Sequence, residues 1–241
     1  MSRTILSITG ADRARFLNGL LTRDVPEAGL GYAALLTPQG KYLADFLTLD
    51  RGDAIWLDVA DELADAVRQR LSMYRLRADV AIEAIETAVA RGTGPAPDGA
   101  LPDPRPGMGW RAYGLDIGDD ATDWAARRVE HLVPETGIEL IPNESYILEM
   151  GFDRLNGVDF RKGCYVGQEV TARMKHKTEL RKGLARLRLS GPVAPGTPLT
   201  VDGRAVGTVH TVAGDRALAY LRFDRAKGMR ADDVPVELDA R

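Results

Sequence analysis

The sequence is short of cysteine. Its 241 residues hold one, Cys164. A single thiol excludes a disulfide framework within the chain and a four-cysteine cluster site built from this chain alone. It suits a reducing compartment, and the expectation is a cytoplasmic protein. Histidine is nearly as scarce. His131, His176 and His210 are scattered and lack the spacing of a zinc or iron motif, so no metal site is expected. Long hydrophobic runs are missing as well. No window offers about 18 consecutive apolar residues, which excludes a helical membrane span. The opening segment has no apolar run of signal-peptide length and turns polar by Asp12, so no secretory leader is expected. Finally, no sign of charge prevails. With 32 basic and 35 acidic residues the formal net charge is -3, and nucleic acid is not expected as the main partner.

What is present is an ordinary globular composition, 44% apolar and 28% charged, enough for a real core. The length suits one large or two unequal domains. Thr4–Ile8 reads as a strand, and Asp12 as the cap of a helix carrying Phe16, Leu17, Leu20 and Leu21. Tyr32–Thr37 and Tyr42–Leu49 are apolar runs around Pro38-Gln39-Gly40, the signature of a hairpin. A third strand over Ala54–Val59, a helix from Asp61 to about Leu76 and a strand over Val80–Ile85 follow. Residues 91–109 are rich in glycine and proline and read as a loop or linker. Beyond it the pattern predicts a strand over Tyr113–Ile117 and a helix near Thr122–Leu132. Ile141–Glu144 predicts a turn leading into a further helix, with Asn143 as its cap. From Lys182 short strands alternate with turns, among them Asp202-Gly203, a strong hairpin signal. The expected fold is therefore α+β over residues 1–180, with the loop 91–109 between its two halves, followed by a small β-barrel over 181–241.

The densest chemical signal is Arg161-Lys162-Gly163-Cys164-Tyr165-Val166-Gly167-Gln168-Glu169-Val170. Two glycines flank a Cys-Tyr pair, so the backbone can turn sharply and expose the thiol. A short helix from Gln168 would place its N-terminus close to Cys164, with Arg161, Lys162, Arg173 and Lys175 nearby in sequence. Both features favour thiolate. No His or Asp stands at a local spacing that would make a cysteine-protease dyad. The bland alternative is a small buried cysteine.

Lys162–Glu169 matches the K-G-C-Y-x-G-Q-E signature of the YgfZ family, which the chain resembles over nearly its whole length. Thr9–Asp12, Phe16–Gly19, Leu36–Lys41, Ala44–Phe46 and Val158–Arg161 resemble further segments of that family. The resemblance implies an aminomethyltransferase-like fold of βα subdomains around a folate site, followed by the barrel. It implies a tetrahydrofolate-binding protein acting in assembly or repair of [4Fe–4S] enzymes, as the family's mitochondrial counterparts do. On this reading Cys164 is the functional thiol, accompanied by Lys162, Tyr165, Gln168 and Glu169. Trp124, Asp45, Arg75 and Gln168 contact tetrahydrofolate or a derivative. Arg3 stands where a second family aromatic would fall. Ala44 replaces the first of the Asp-Asp pair of the related aminomethyltransferases. The expected partners are folate and iron–sulfur assembly proteins or client enzymes, with no membrane. A transient cluster would need a partner's ligands, and nothing demands more than a monomer. Two other readings stay open: a folate-dependent one-carbon transferase, and a non-catalytic scaffold that folate stabilises. On the scaffold reading, the basic run Arg173–Arg188 is the interface.

Overall fold

The computed structural model of the protein describes residues 2–177 and 179–241, and of Lys177 the backbone alone. Five strands form the first sheet: β1 (Arg3–Thr9), β2 (Leu30–Leu36), β3 (Tyr42–Asp50), β4 (Ile55–Ala60) and β5 (Ala81–Ile85). They pair antiparallel in the order β2-β3-β4-β1-β5. Helices α1 (Arg13–Asn18) and α2 (Asp61–Arg75) cover one face, packing Leu17, Val67 and Leu71 against Leu6, Phe46 and Leu57. The other face carries Tyr32, Ala34 and Leu36 into a second core with Val129, Leu140 and Phe152. Successive side chains of a strand point to opposite faces, so a strand covered on both sides reads as an unbroken apolar run. That is why Leu30–Leu36 lacks alternation.

The Pro-Gln-Gly turn joins β2 to β3 as expected. Asp12 takes the N-cap position of α1, but its side chain makes no capping bond. Its carboxylate accepts the Asp79 N–H at 2.9 Å and fastens α1 to the start of β5. Leu20 and Leu21 lie beyond the helix, although both are buried.

The segment 91–109 is more than a linker. It completes β6 (Val89–Gly92) and contributes β7 (Leu101–Pro102), which join β8 (Trp110–Tyr113) in a three-stranded sheet of order β6-β8-β7. The strand expected at Tyr113–Ile117 therefore ends where it was to begin. Its residues beyond Tyr113 turn away because Gly114 takes a φ of 72°. Helix α3 (Trp124–His131) starts at Asp123, whose Oδ1 accepts the Ala126 N–H at 3.0 Å. The helix expected after Asn143 is absent. Asn143 itself adopts φ 64°, outside the helical region, and successive turns follow. Helix α4 (Gln168–Lys177) leaves the Cys164 loop as predicted.

Six strands close the barrel: β9 (Lys182–Leu189), β10 (Pro198–Val201), β11 (Arg204–Ala213), β12 (Arg216–Arg222), β13 (Arg230–Ala231) and β14 (Val234–Ala240). Their order is β10-β11-β12-β9-β14-β13, and Leu187, Leu199, Val209 and Leu221 fill the interior. Asp202 and Gly203 both take positive φ, 49° and 73°, as a two-residue hairpin turn between right-twisted strands requires. Leu184 and Leu218 of the barrel enter the core shared with α3, so the two parts meet through apolar surface. Among the described residues no helix is long and apolar enough to cross a membrane.

Candidate functional site

The inner face of the first sheet ends in a cleft lined by Arg3, Arg91, Arg105, Arg111 and Arg128, with Asp45 and Glu135. Asp45 lies on β3 in the same phase as Leu47 and Leu49, which places it on the buried face. Its Oδ2 accepts from Tyr32 Oη at 2.9 Å. Its Oδ1 accepts from Tyr42 Oη at 2.7 Å and from Thr136 Oγ1 at 2.8 Å. Three hydroxyls thus replace the water that the carboxylate loses on burial. Burial, and then the neighbouring Asp45 charge, push both tyrosine pKa values well above their ordinary value, so both phenols remain donors.

Each arginine is backed by acid. Asp58, beneath the cleft, takes Arg3 and Arg111 together, the latter at 3.3 Å, and accepts from Tyr113 Oη at 2.9 Å. Burial alone would raise the Asp58 pKa, but the charges of Arg3 and Arg111 outweigh it and hold the carboxyl below the usual range. Arg105 binds Asp103 through two nitrogens, at 2.9 and 2.6 Å. Arg128 meets Glu139 at 2.9 Å and Glu135 at 2.8 Å, and donates to Thr211 Oγ1 of β11 at 2.9 Å. Arg91 pairs with the half-exposed Asp119 at 3.0 Å and lies 4.1 Å over the Trp124 ring. The cleft is therefore rich in fixed donors and acceptors rather than strongly cationic.

Arg111 Nε and Trp124 Nε1 are among the buried side-chain atoms without a hydrogen-bond partner in the protein, although Arg111 Nε lies 3.8 Å from the Asp103 carboxylate. Unpaired buried donors are costly, and a water or a ligand can supply the acceptor. By chemistry the set fits a pterin: carboxylates for its amino edge, guanidinium and indole N–H groups for its carbonyl, and an indole face for stacking. The free volume is only about 30 Å³, roughly one water's share of liquid. A ring would fit only if side chains moved aside. Arg91 is the arginine least fixed, because its acid partner is a surface residue.

The Cys164 loop is a separate feature. Cys164 is exposed and lies outside the cleft lining. Lys162 turns inward: its Nζ donates to the Asn18 and Leu21 carbonyls, both at 2.7 Å, and meets Asp24 at 3.0 Å. Burial, only partly offset by Asp24, lowers its pKa. Tyr165 is buried in the main core, and Gln168 Nε2 reaches the Gly163 carbonyl at 3.4 Å. Lys162, Tyr165 and Gln168 therefore shape the loop, while Cys164 and Glu169 face solvent.

This loop packs on the Pro38-Gln39-Gly40 hairpin through two glycines. A Cβ on Gly167, at φ 86°, would stand 2.7 Å from the Thr37 carbonyl oxygen, and one on Gly40 would stand 2.8 Å from Val170 Cβ. Gly167→Ala is accordingly expected to cost about 1–3 kcal/mol in urea unfolding, since strain and clash coincide.

Of the residues expected to contact folate, Asp45 lines the cleft and Trp124 borders it through Arg91. Two others lie away from the cleft. Arg75 does not line the cleft; it is exposed at the end of α2, and its Nη1 donates to the Val80 carbonyl at 3.4 Å. The helix carries it along the far face of the sheet. Gln168 also stays with the Cys164 loop, because its amide closes that turn. Reading the sequence missed Arg105, Arg111 and Arg128. Arg111, an arginine between Trp110 and Ala112 in a strand, was the one visible hint.

The fold defines the class first: a two-part protein of the aminomethyltransferase-like fold. It is similar to aminomethyltransferase T of the glycine cleavage system from Bartonella henselae, with a TM-score of 0.72 at 12% identity, over 99% of this chain and 83% of that one. Residues 181–240 match the family model "CAF17, C-terminal beta-barrel domain". The chain is 31% identical over 276 residues to the mouse mitochondrial iron–sulfur cluster assembly factor IBA57, covering 94% of this chain and 77% of that protein. The human protein gives 31% over 274 residues with the same coverage. The homologue from Phaeosphaeria nodorum gives 27% over 285 residues, covering 95% and 70%. The chain belongs to the IBA57 family of iron–sulfur cluster assembly factors. The expectation of a cytoplasmic protein is overturned by these relatives, all named as mitochondrial, which point to the mitochondrion instead.

Proposed function

We propose that this member of the family binds tetrahydrofolate in the arginine-lined cleft and uses the exposed Cys164 in assembly or repair of [4Fe–4S] enzymes. The observation that carries the first half is Asp45, a buried carboxylate held by three hydroxyls in a cleft where Arg111 Nε has no hydrogen-bond partner. In the cleft Asp45 would hold the amino edge of the pterin, Arg111 its carbonyl oxygen, and Trp124 its ring face. Bound there, the folate supplies a nitrogen that carries one-carbon units. The second half is supported by family membership and by the loop that presents a lone thiol. Among the described residues no three His, Cys, Asp or Glu side chains gather as a metal site, so a cluster touched by Cys164 is cargo held jointly with a partner.

The test is calorimetric titration of the full chain with tetrahydrofolate. Asp45→Asn keeps the shape but loses the charge, and a charge-assisted hydrogen bond of about 1.5–3 kcal/mol corresponds to roughly 10–100-fold weaker binding. Binding by wild type that Asp45→Asn leaves unchanged removes the cleft from the proposal.

A further inference from the structure

Helix α2 ends in a turn that breaks a local rule. The Ala78 N–H donates to the Arg75 carbonyl at 2.8 Å and closes a four-residue turn. Leu76 occupies its second position with φ 46° and ψ -106°. These are the angles of a type II′ turn, where glycine dominates because a Cβ crowds the backbone. A leucine there is strained. Burial does not compensate, since Leu76 is 88% exposed. Met73, three residues earlier in the last turn of the helix, is 65% exposed. Among the described residues these two are the most exposed large hydrophobic side chains. Glycine at position 76 would relieve both faults, so folding does not account for the leucine.

The surroundings suggest what does. Arg75 and Arg77 flank Leu76 and are exposed, and neither pairs with a carboxylate among the described residues. Arg68, further back on the helix, is already matched to Asp65. We infer that Met73 and Leu76, between the free charges of Arg75 and Arg77, form a docking knob for a protein partner with an apolar socket rimmed by carboxylates. The apolar pair fills the socket, Met73 adapting its shape. The arginines match the rim and set the orientation of approach. Two side chains and two cations are too little to hold a lipid surface, which needs a longer apolar face. The inference rests on the reading of the chain as an assembly factor that must meet other proteins.

Leu76→Gly separates the knob from the fold. Relief of strain, less the entropy that glycine adds to the unfolded chain, is expected to raise the melting temperature by roughly 2–4 °C. Tetrahydrofolate affinity should not change. Loss of an anchor of this kind weakens docking by roughly 10–30-fold. In cells deleted for the gene, Leu76→Gly is therefore expected to restore [4Fe–4S] enzyme activity far less than wild type at equal abundance. A photo-crosslinking amino acid at position 73 should join one acidic protein, and Arg75→Glu with Arg77→Glu should abolish that product. A Leu76→Gly protein that restores activity like wild type overturns the inference. So does one that melts no higher, or a position-73 probe that labels anionic vesicles and no protein. If wild type itself restores no cluster enzyme, the assembly reading falls, and the crosslink with its charge-reversal control alone decides the knob.

Discussion

Asp58→Asn is expected to lower the unfolding free energy by about 3–5 kcal/mol, the usual cost of removing one partner from a buried ion pair. Asp58 is 1% exposed and is shared by Arg3 of β1, Arg111 of β8 and the Tyr113 hydroxyl. It ties the first sheet to the three-stranded sheet beneath the cleft. Asparagine preserves the volume but leaves two buried guanidinium groups facing a neutral amide. Urea unfolding measures the loss. A double-mutant cycle with Arg111→Met should recover part of it, because that change removes one stranded charge. The pH dependence has a definite sign. The folded pKa of Asp58 lies below its unfolded value of about 3.9, so its contribution is present above that value and disappears as pH falls below it. The deficit of Asp58→Asn should therefore be full at pH 7 and narrow below about pH 4. A deficit under about 1 kcal/mol at pH 7 would show that the arginines find water on their own.

Cys164→Ala is expected to abolish restoration of [4Fe–4S] enzyme activity in a gene-deleted host while leaving the protein as stable as wild type. The thiol is free and exposed. Surface substitutions of this kind stay within about 0.5 kcal/mol. The loop's shape comes instead from Lys162, Tyr165, Gln168 and the Gly167–Gly40 contact. Melting temperature and tetrahydrofolate affinity serve as controls, and both should match wild type. Full restoration by Cys164→Ala would remove the thiol from the mechanism and leave the scaffold reading in front. Lost restoration with lowered melting would mean that the cysteine is part of the packing.

Much of the fold was legible because its causes are local. The hairpin at Pro38-Gln39-Gly40, the Asp202-Gly203 turn and the helix after Gly167 each follow from backbone preferences of a few neighbouring residues. The doubly buried β2 was legible for a different reason, an apolar run too short for a helix and bounded by turn residues. The failures share a cause too. Asn143 favoured a helix cap by type, yet tertiary packing set it at positive φ. Asp12 suited a cap, yet a partner 67 residues away claimed its carboxylate.

By itself, then, the sequence determined the turns, the two-part order of α+β followed by barrel, and the thiol loop with its family signature, while the exposure of Cys164 came from the structure. The cleft was decided by tertiary structure alone. Arg3, Arg105 and Arg128 sit in segments that share no local pattern, and each looks like an ordinary surface charge. A guanidinium tolerates burial only when a carboxylate meets it; Asp103 meets Arg105 from two residues away, but Asp58 and Glu139 meet Arg3, Arg111 and Arg128 only after the sheets and α3 have packed.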